Sequence, residues 1–183
     1  GGASATTVTE VVVYNTDYSS DNSLYYVTDE YNAQYGLTQI KAAEAYASLA
    51  GDGLSVAGDN VKVGVTDTGV LLTHQEISAN DSGLSYDFDD DDDTVTDTDG
   101  HGTHVASTVI GAKDGYGMHG VAYNSKVIGV SMLGVSASEA GIAYAAGQGA
   151  GVINMSWGFV DESDNGKQYT IGDSAYITAY AGL

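Results

Sequence analysis

The chain has 183 residues, 43% of them hydrophobic, which suits about one domain with a core of its own. Its 25 acidic residues stand against five lysines and no arginine, a formal net charge of −20, which excludes nucleic acid and anionic membrane surfaces as partners. It has no cysteine, hence no disulfide and no thiolate metal site, and no apolar run long enough to insert in a membrane.

Residues 1–22 are rich in Thr, Ser and Val, with a strand predicted at Val11–Tyr14. In LTQIKAAEAYASLA, Leu37, Ile40, Ala43 and Ala47 fall at helical spacing and predict a helix. Gly51, Gly53 and Gly58 then make a loop. VKVGVT, Val61–Thr66, is a β-branched run that fits a buried parallel strand and stops at Asp67-Thr68-Gly69. A helix is predicted over His101–Gly111, a second core strand over Lys126–Val130, and a helix over Ser136–Gln148. Gly151–Ser156 reads as a third core strand and Gln168–Tyr180 as a weaker helix. Strands alternating with helices predict an α/β fold, a parallel sheet covered on both faces. In such sheets chemistry gathers at the carboxyl ends of strands, where Asp67 and Ser156 fall.

The stretch DTDGHGTHVAS, Asp97–Ser107, carries two histidines three residues apart. An imidazole acting as a general base needs a buried carboxylate to hold its tautomer and stabilise the imidazolium. Asp67 is the candidate carboxylate and His101 the candidate base, with Gly100 and Gly102 allowing close approach. His101 and His104 could also form half of a zinc site, but no neighbouring Glu or third ligand completes it. The run FDDDDDTVTDTD, Phe88–Asp99, is either a solvated loop or an oxygen-rich site for a hard cation.

Taken in order, VGVTDTGVLLTHQEI, GHGTHVAST and GVINMSWG resemble the subtilisin-like serine peptidases, the subtilases, from about Leu37 onward. EYNAQYGLTQIKAAEAYA further resembles the entry to the subtilase passenger domains of bacterial autotransporters. The resemblance implies a subtilisin-like parallel sheet, truncated before its C-terminal half, with residues 1–36 as an extension and 37–183 as an incomplete catalytic domain. It implies the chain order Asp, His, Ser for the catalytic residues, with Asp67 and His101 as the first two and His104 as an inward structural residue of the helix. Ser156, Trp157 and Gly158 become the wall of the substrate pocket, where a peptide adds as a strand. The shortness of the segment between Met132-Leu133-Gly134 and Val152 implies loss of a second substrate-flanking strand.

Calcium is the implied cofactor, at two places. One set matches the acidic loop: Asp87, Asp90, Asp92, Thr94 and Thr96. The other joins Glu76 to a loop bearing Asp114 and the carbonyls of Ala112, Tyr116 and Met118, with His119 at the surface. No serine here stands in a Gly-Thr-Ser-x-Ala turn, so the nucleophile is expected beyond Leu183 and these residues alone are expected to be inactive. The implied protein is a secreted or cell-surface bacterial endopeptidase, with peptide or protein substrates and the remaining C-terminal part of the same protease as partners. The alternative is a catalytically inactive, calcium-binding peptide-binding module of the same fold. A mere acidic calcium buffer would explain the aspartates but not DTG, HGTH or SWG. Three positions depart from the family pattern: Gln75 and Tyr123 stand where proline is usual, and Ser107 where glycine is. Lacking proline while carrying 25 glycines, the chain is expected to be of low stability.

Overall fold

The computed structural model describes residues 22–132, 135–157, 160–161 and 167–168. The strand predicted at Val11–Tyr14 and nearly all of the helix predicted at Gln168–Tyr180 lie outside them.

A 3-10 turn, Ser23–Tyr26, leads into α1 (Asp29–Ala33), α2 (Tyr35–Gln39) and α3 (Ala42–Gly51). β1 (Lys62–Asp67), α4 (Gln75–Ser78), β2 (Tyr86–Asp87), α5 (His101–Ile110), β3 (Lys126–Ser131), α6 (Val135–Gly147) and β4 (Val152–Asn154) follow. The short antiparallel pair β5 (Val160–Asp161) and β6 (Lys167–Gln168) comes last. The main sheet has the order β2-β3-β1-β4 with every pairing parallel. The predicted α/β class is therefore what the chain adopts.

Period-two alternation assigns the two faces of this sheet. Val63, Val65 and Val127 point to one side and pack on Ala106 and Ile110 of α5, with Val70 and Ile77. Ile128 and Val130 point to the other side and pack on Ala145 of α6. Ile110 is fully buried, so its truncation to alanine is worth about 2–5 kcal/mol. Gly64 sets how near α6 can come: a Cβ there would lie 2.9 Å from that of Ala145.

The helix predicted from Leu37 is two helices. Lys41 takes a left-handed conformation, φ 59°, and Ile40 is 61% exposed rather than inward. The Tyr31 hydroxyl explains the break. It donates to the Leu37 carbonyl at 3.0 Å, near the end of α2, and accepts from the Ala43 N–H at 3.3 Å, at the start of α3. One buried group thus satisfies two groups that a helix end leaves open. Tyr31, Leu37, Ala42, Ala43 and Tyr46 form a third cluster, which includes residues from within the predicted extension. It docks on the 112–124 segment through Tyr46, whose hydroxyl donates to the Val121 carbonyl at 2.6 Å and whose ring meets Tyr123 edge-on. Tyr123, where proline was expected, supplies aromatic packing that proline could not. Gln75 opens α4, the one helical position where proline and other residues are interchangeable without loss of a hydrogen bond.

Candidate active site

The register puts the last residues of three strands in one row: Asp67 of β1 opposite Ser131 of β3, which in turn faces Asp87 of β2. All three are buried. His101 opens α5, and its Nδ1 lies 2.6 Å from Asp67 Oδ1, which also accepts the Thr68 N–H at 2.8 Å. Asp67 Oδ2 is buried without a hydrogen-bond partner. The imidazole is half exposed, so Nε2, on the far side of the ring, is the atom turned from the carboxylate. The hydrogen bond to Asp67 and its charge raise the His101 pKa above the ordinary imidazole range; desolvation opposes them, and Asp99 and Asp97 add smaller upward contributions.

Gly102 is what permits this approach. A Cβ at that position would sit 2.1 Å from the Gly69 carbonyl oxygen and 3.0 Å from Asp67 Cβ, so any larger residue would push α5 away from β1. Gly69 itself, φ 113°, faces the Thr96 carbonyl at 2.6 Å from its virtual Cβ. A residue that motif reading passed over ties these pieces together. Asp97 accepts the Thr68 hydroxyl and the N–H of Gly100 on one oxygen, and the N–H and hydroxyl of Thr103 on the other. Burial works against its ionised form, but these bonds win, and its pKa is lowered. The signal was present in the sequence, an aspartate four residues before the histidine.

His104 corrects an expectation: it is exposed, not packed inward. The buried stripe of α5 is Gly102, Ala106 and Ile110, and a residue two positions after Gly102 falls on the opposite side. Ser107 is half-buried and returns its hydroxyl to the Thr103 carbonyl at 2.9 Å. Of the expected pocket wall, Ser156 is exposed, with its hydroxyl on Asn154 Oδ1 at 2.8 Å. The Trp157 indole donates to the Thr66 carbonyl at 2.7 Å, anchoring the end of β4 beside Asp67. Gly158 and the Leu133-Gly134 pair lie outside the described residues.

The two acidic loops differ. In the first, Asp87 Oδ1 accepts the N–H groups of Asp89 and Asp90, and Asp92 Oδ1 that of Thr94. Those two carboxylates close their own turns, and Asp90, Asp92, Thr94 and Thr96 are exposed. In the second, Glu76 is only 7% exposed, its Oε2 is buried without a partner, and its Oε1 has the Met118 N–H at 3.4 Å. Burial raises the Glu76 pKa, and the charges of Asp114 and Glu30 raise it further against the Met118 bond. Buried Glu30, missed in the sequence, accepts the N–H groups of Asp114 and Gly115, each at 2.9 Å. Nothing local marks Glu30, because its partners are more than 80 residues away. Among the described residues no three acidic or imidazole side chains form a metal cage by themselves, so an ion here must draw on backbone carbonyls. His119 corrects a second expectation. It is fully buried between Tyr31 and Tyr123, its Nδ1 lies 2.8 Å from the Gly120 carbonyl, and burial lowers its pKa.

A buried carboxylate at a parallel strand's carboxyl end grips an imidazole at the start of a helix, an arrangement able to hold one tautomer and to stabilise an imidazolium. Comparison with known proteins specifies the family. A sequence profile of the subtilase family matches residues 58–180, and the chain belongs to that family. It is 36% identical over 139 residues to an extracellular serine protease of Serratia marcescens, covering 74% of this chain and 12% of that protein. It is 35% identical over 155 residues to subtilisin DY of Bacillus licheniformis, covering 79% of this chain and 51% of that protein. Among solved structures, a cold-adapted subtilisin-like serine proteinase superposes with a TM-score of 0.53 at 31% identity, covering 70% of this chain and 44% of that one. The chain thus spans about half the length, or much less, of the curated relatives it matches.

Proposed function

We propose that this chain supplies the aspartate and histidine of a subtilisin-type serine endopeptidase, with the nucleophilic serine contributed by protein sequence outside these residues. The observation that carries the proposal is the 2.6 Å contact between Asp67 and His101 at the carboxyl edge of the sheet. His101 Nε2 takes the serine proton as the hydroxyl oxygen attacks the substrate carbonyl carbon, and Asp67 stabilises the imidazolium that forms. The imidazolium then gives that proton to the departing amine, leaving an acyl-enzyme that water hydrolyses by the same steps. The peptide lies along Ser156–Gly158, whose chemistry suits strand addition. Support for extracellular action comes from the Serratia relative, whose name places it outside the cell.

The cofactor in this reading is calcium, held at Glu76 and Asp114 with the carbonyls of Ala112, Tyr116 and Met118. Glu76's orphaned oxygen and the like charges around it fit a divalent cation. Bound there, the ion would supply the countercharge and hold the loop. The Asp87–Thr96 set fits less well, because one oxygen each of Asp87 and Asp92 already accepts backbone N–H groups.

The test uses the full-length protein with a fluorophosphonate probe and a chromogenic peptide. Labelling and hydrolysis in the wild type, both lost in His101→Ala, are the expected result. Peptide binding without labelling or turnover would instead support a non-catalytic peptide-binding module.

A further inference from the structure

Four structural facts converge on a residue that is neither acid, base nor nucleophile. Asp97 is joined to both halves of the site at once. On the β1 side, Thr68, whose N–H holds Asp67 Oδ1, donates its hydroxyl to Asp97 Oδ1 at 2.9 Å. On the α5 side, Asp97 accepts the N–H of Gly100 at 2.8 Å, that of Thr103 at 2.9 Å and the Thr103 hydroxyl at 2.5 Å; the Asp99 N–H, at 3.2 Å, completes the set. The two threonines bridge in opposite directions. Thr68 Oγ1 accepts the Gly102 N–H at 3.0 Å, and Thr103 Oγ1 accepts the Leu71 N–H at 2.9 Å.

Each hydroxyl has one hydrogen. With its oxygen accepting a backbone N–H from the opposite segment, that hydrogen is directed to Asp97. Five donors on one carboxylate therefore lock the 67–71 turn to the first turn of α5. Gly100, the residue before the helix, makes no side-chain cap, so Asp97 also does the capping that the local sequence omits.

We infer that Asp97 is a positioning residue, which fixes the separation and angle of Asp67 and His101 through Thr68 and Thr103. This rests on the proposed catalytic roles of that pair. Asparagine cannot substitute: its oxygen accepts, but its amide nitrogen would face N–H and O–H donors that have nowhere else to point. Asp99 provides the control. It carries the same charge near His101 and accepts the His101 N–H at 3.2 Å, but has no bond to Thr68 or Thr103.

The experiment compares Asp97→Asn, Asp99→Asn and Thr68→Val in the full-length protein by kcat, KM, melting temperature and NMR titration of the His101 imidazole. Asp97→Asn is expected to lower kcat by about 10–100-fold, the scale of a misplaced reacting group, with KM within about twofold. It is expected to lower the His101 pKa more than Asp99→Asn does. Thr68→Val, which changes no charge, is expected to reproduce part of the kcat loss and to move the His101 titration. Equal His101 titrations in the two aspartate variants would reduce Asp97 to a nearby charge and overturn the inference. A lower melting temperature with kcat and titration unchanged below the transition would make it a structural cap and overturn it too. Full activity in Asp67→Asn would sink the catalytic reading instead, while the titrations would still judge the clamp.

Discussion

Asp67 and Glu76 are both buried carboxylates, each with one oxygen lacking a partner, and they stand in opposite electrostatic surroundings. Asp67 has an imidazole against its other oxygen and an N–H beside it. Glu76 has a single distant N–H and two further acidic groups, Asp114 and Glu30, within electrostatic reach. A buried charge is tolerated when something opposes it. In one region the chain itself carries the opposing group, an imidazole whose charged form the carboxylate stabilises. In the other, burial and the two acidic neighbours outweigh the help from His74 and the Met118 N–H. The role of each follows from its neighbours.

The sharpest way to break this contrast is to neutralise each carboxylate in turn. Asp67→Asn in the full-length protein should lower kcat on the order of 10⁴-fold, because the amide cannot stabilise the imidazolium. Measured peptide hydrolysis within tenfold of wild type would refute the relay. Glu76→Gln should leave kcat nearly intact and remove the response to calcium. Calcium at about a hundredfold over its Kd should stabilise the wild type by about 2.7 kcal/mol, roughly 5–10 °C in Tm. Differential scanning fluorimetry with and without a chelator reads both, and an equal gain in the variant would break the assignment of Glu76. Gly117→Ala attacks the same loop from outside. With φ at 61° and a Cβ 2.0 Å from Glu76 Oε1, it should cost about 1–3 kcal/mol and blunt the calcium response.

A smaller effect concerns pH. Because the His101 pKa is raised, its base form appears only above the ordinary imidazole range, so kcat/KM should climb with pH through that higher value. The stability due to the pair has the opposite course. It is fully present below the unfolded-state pKa and lost as pH rises through the folded one. A rate profile with its acid limb at or below pH 6 would contradict the raised pKa. The smallest change expected is in the first acidic loop: Asp90→Asn or Asp91→Asn should shift stability by no more than about 0.5 kcal/mol, since these side chains are exposed.

Much of this arrangement was legible because it is written locally. The β-branched runs gave β1 and β3, their shared period gave the two faces, and the DTG and HGTH segments marked Asp67 and His101. What escaped depends on distant contacts. The break at Ile40–Lys41 follows from the Tyr31 hydroxyl, and the burial of His119 from the rings of Tyr31 and Tyr123. The exposure of His104 was readable, since Gly102, Ala106 and Ile110 already trace the buried stripe at four-residue spacing.

Glu30's grip on the Asp114 and Gly115 N–H groups spans more than 80 residues of chain. Contacts of such sequence separation carry a large closure entropy and tend to form late in folding. A cation drawn to the same loop would then act after the main barrier has been crossed. It would leave the folding rate almost unchanged and slow the escape from the native state. That makes the loop a clock: the lifetime of the native state would be set by how long the N-terminal helices stay latched.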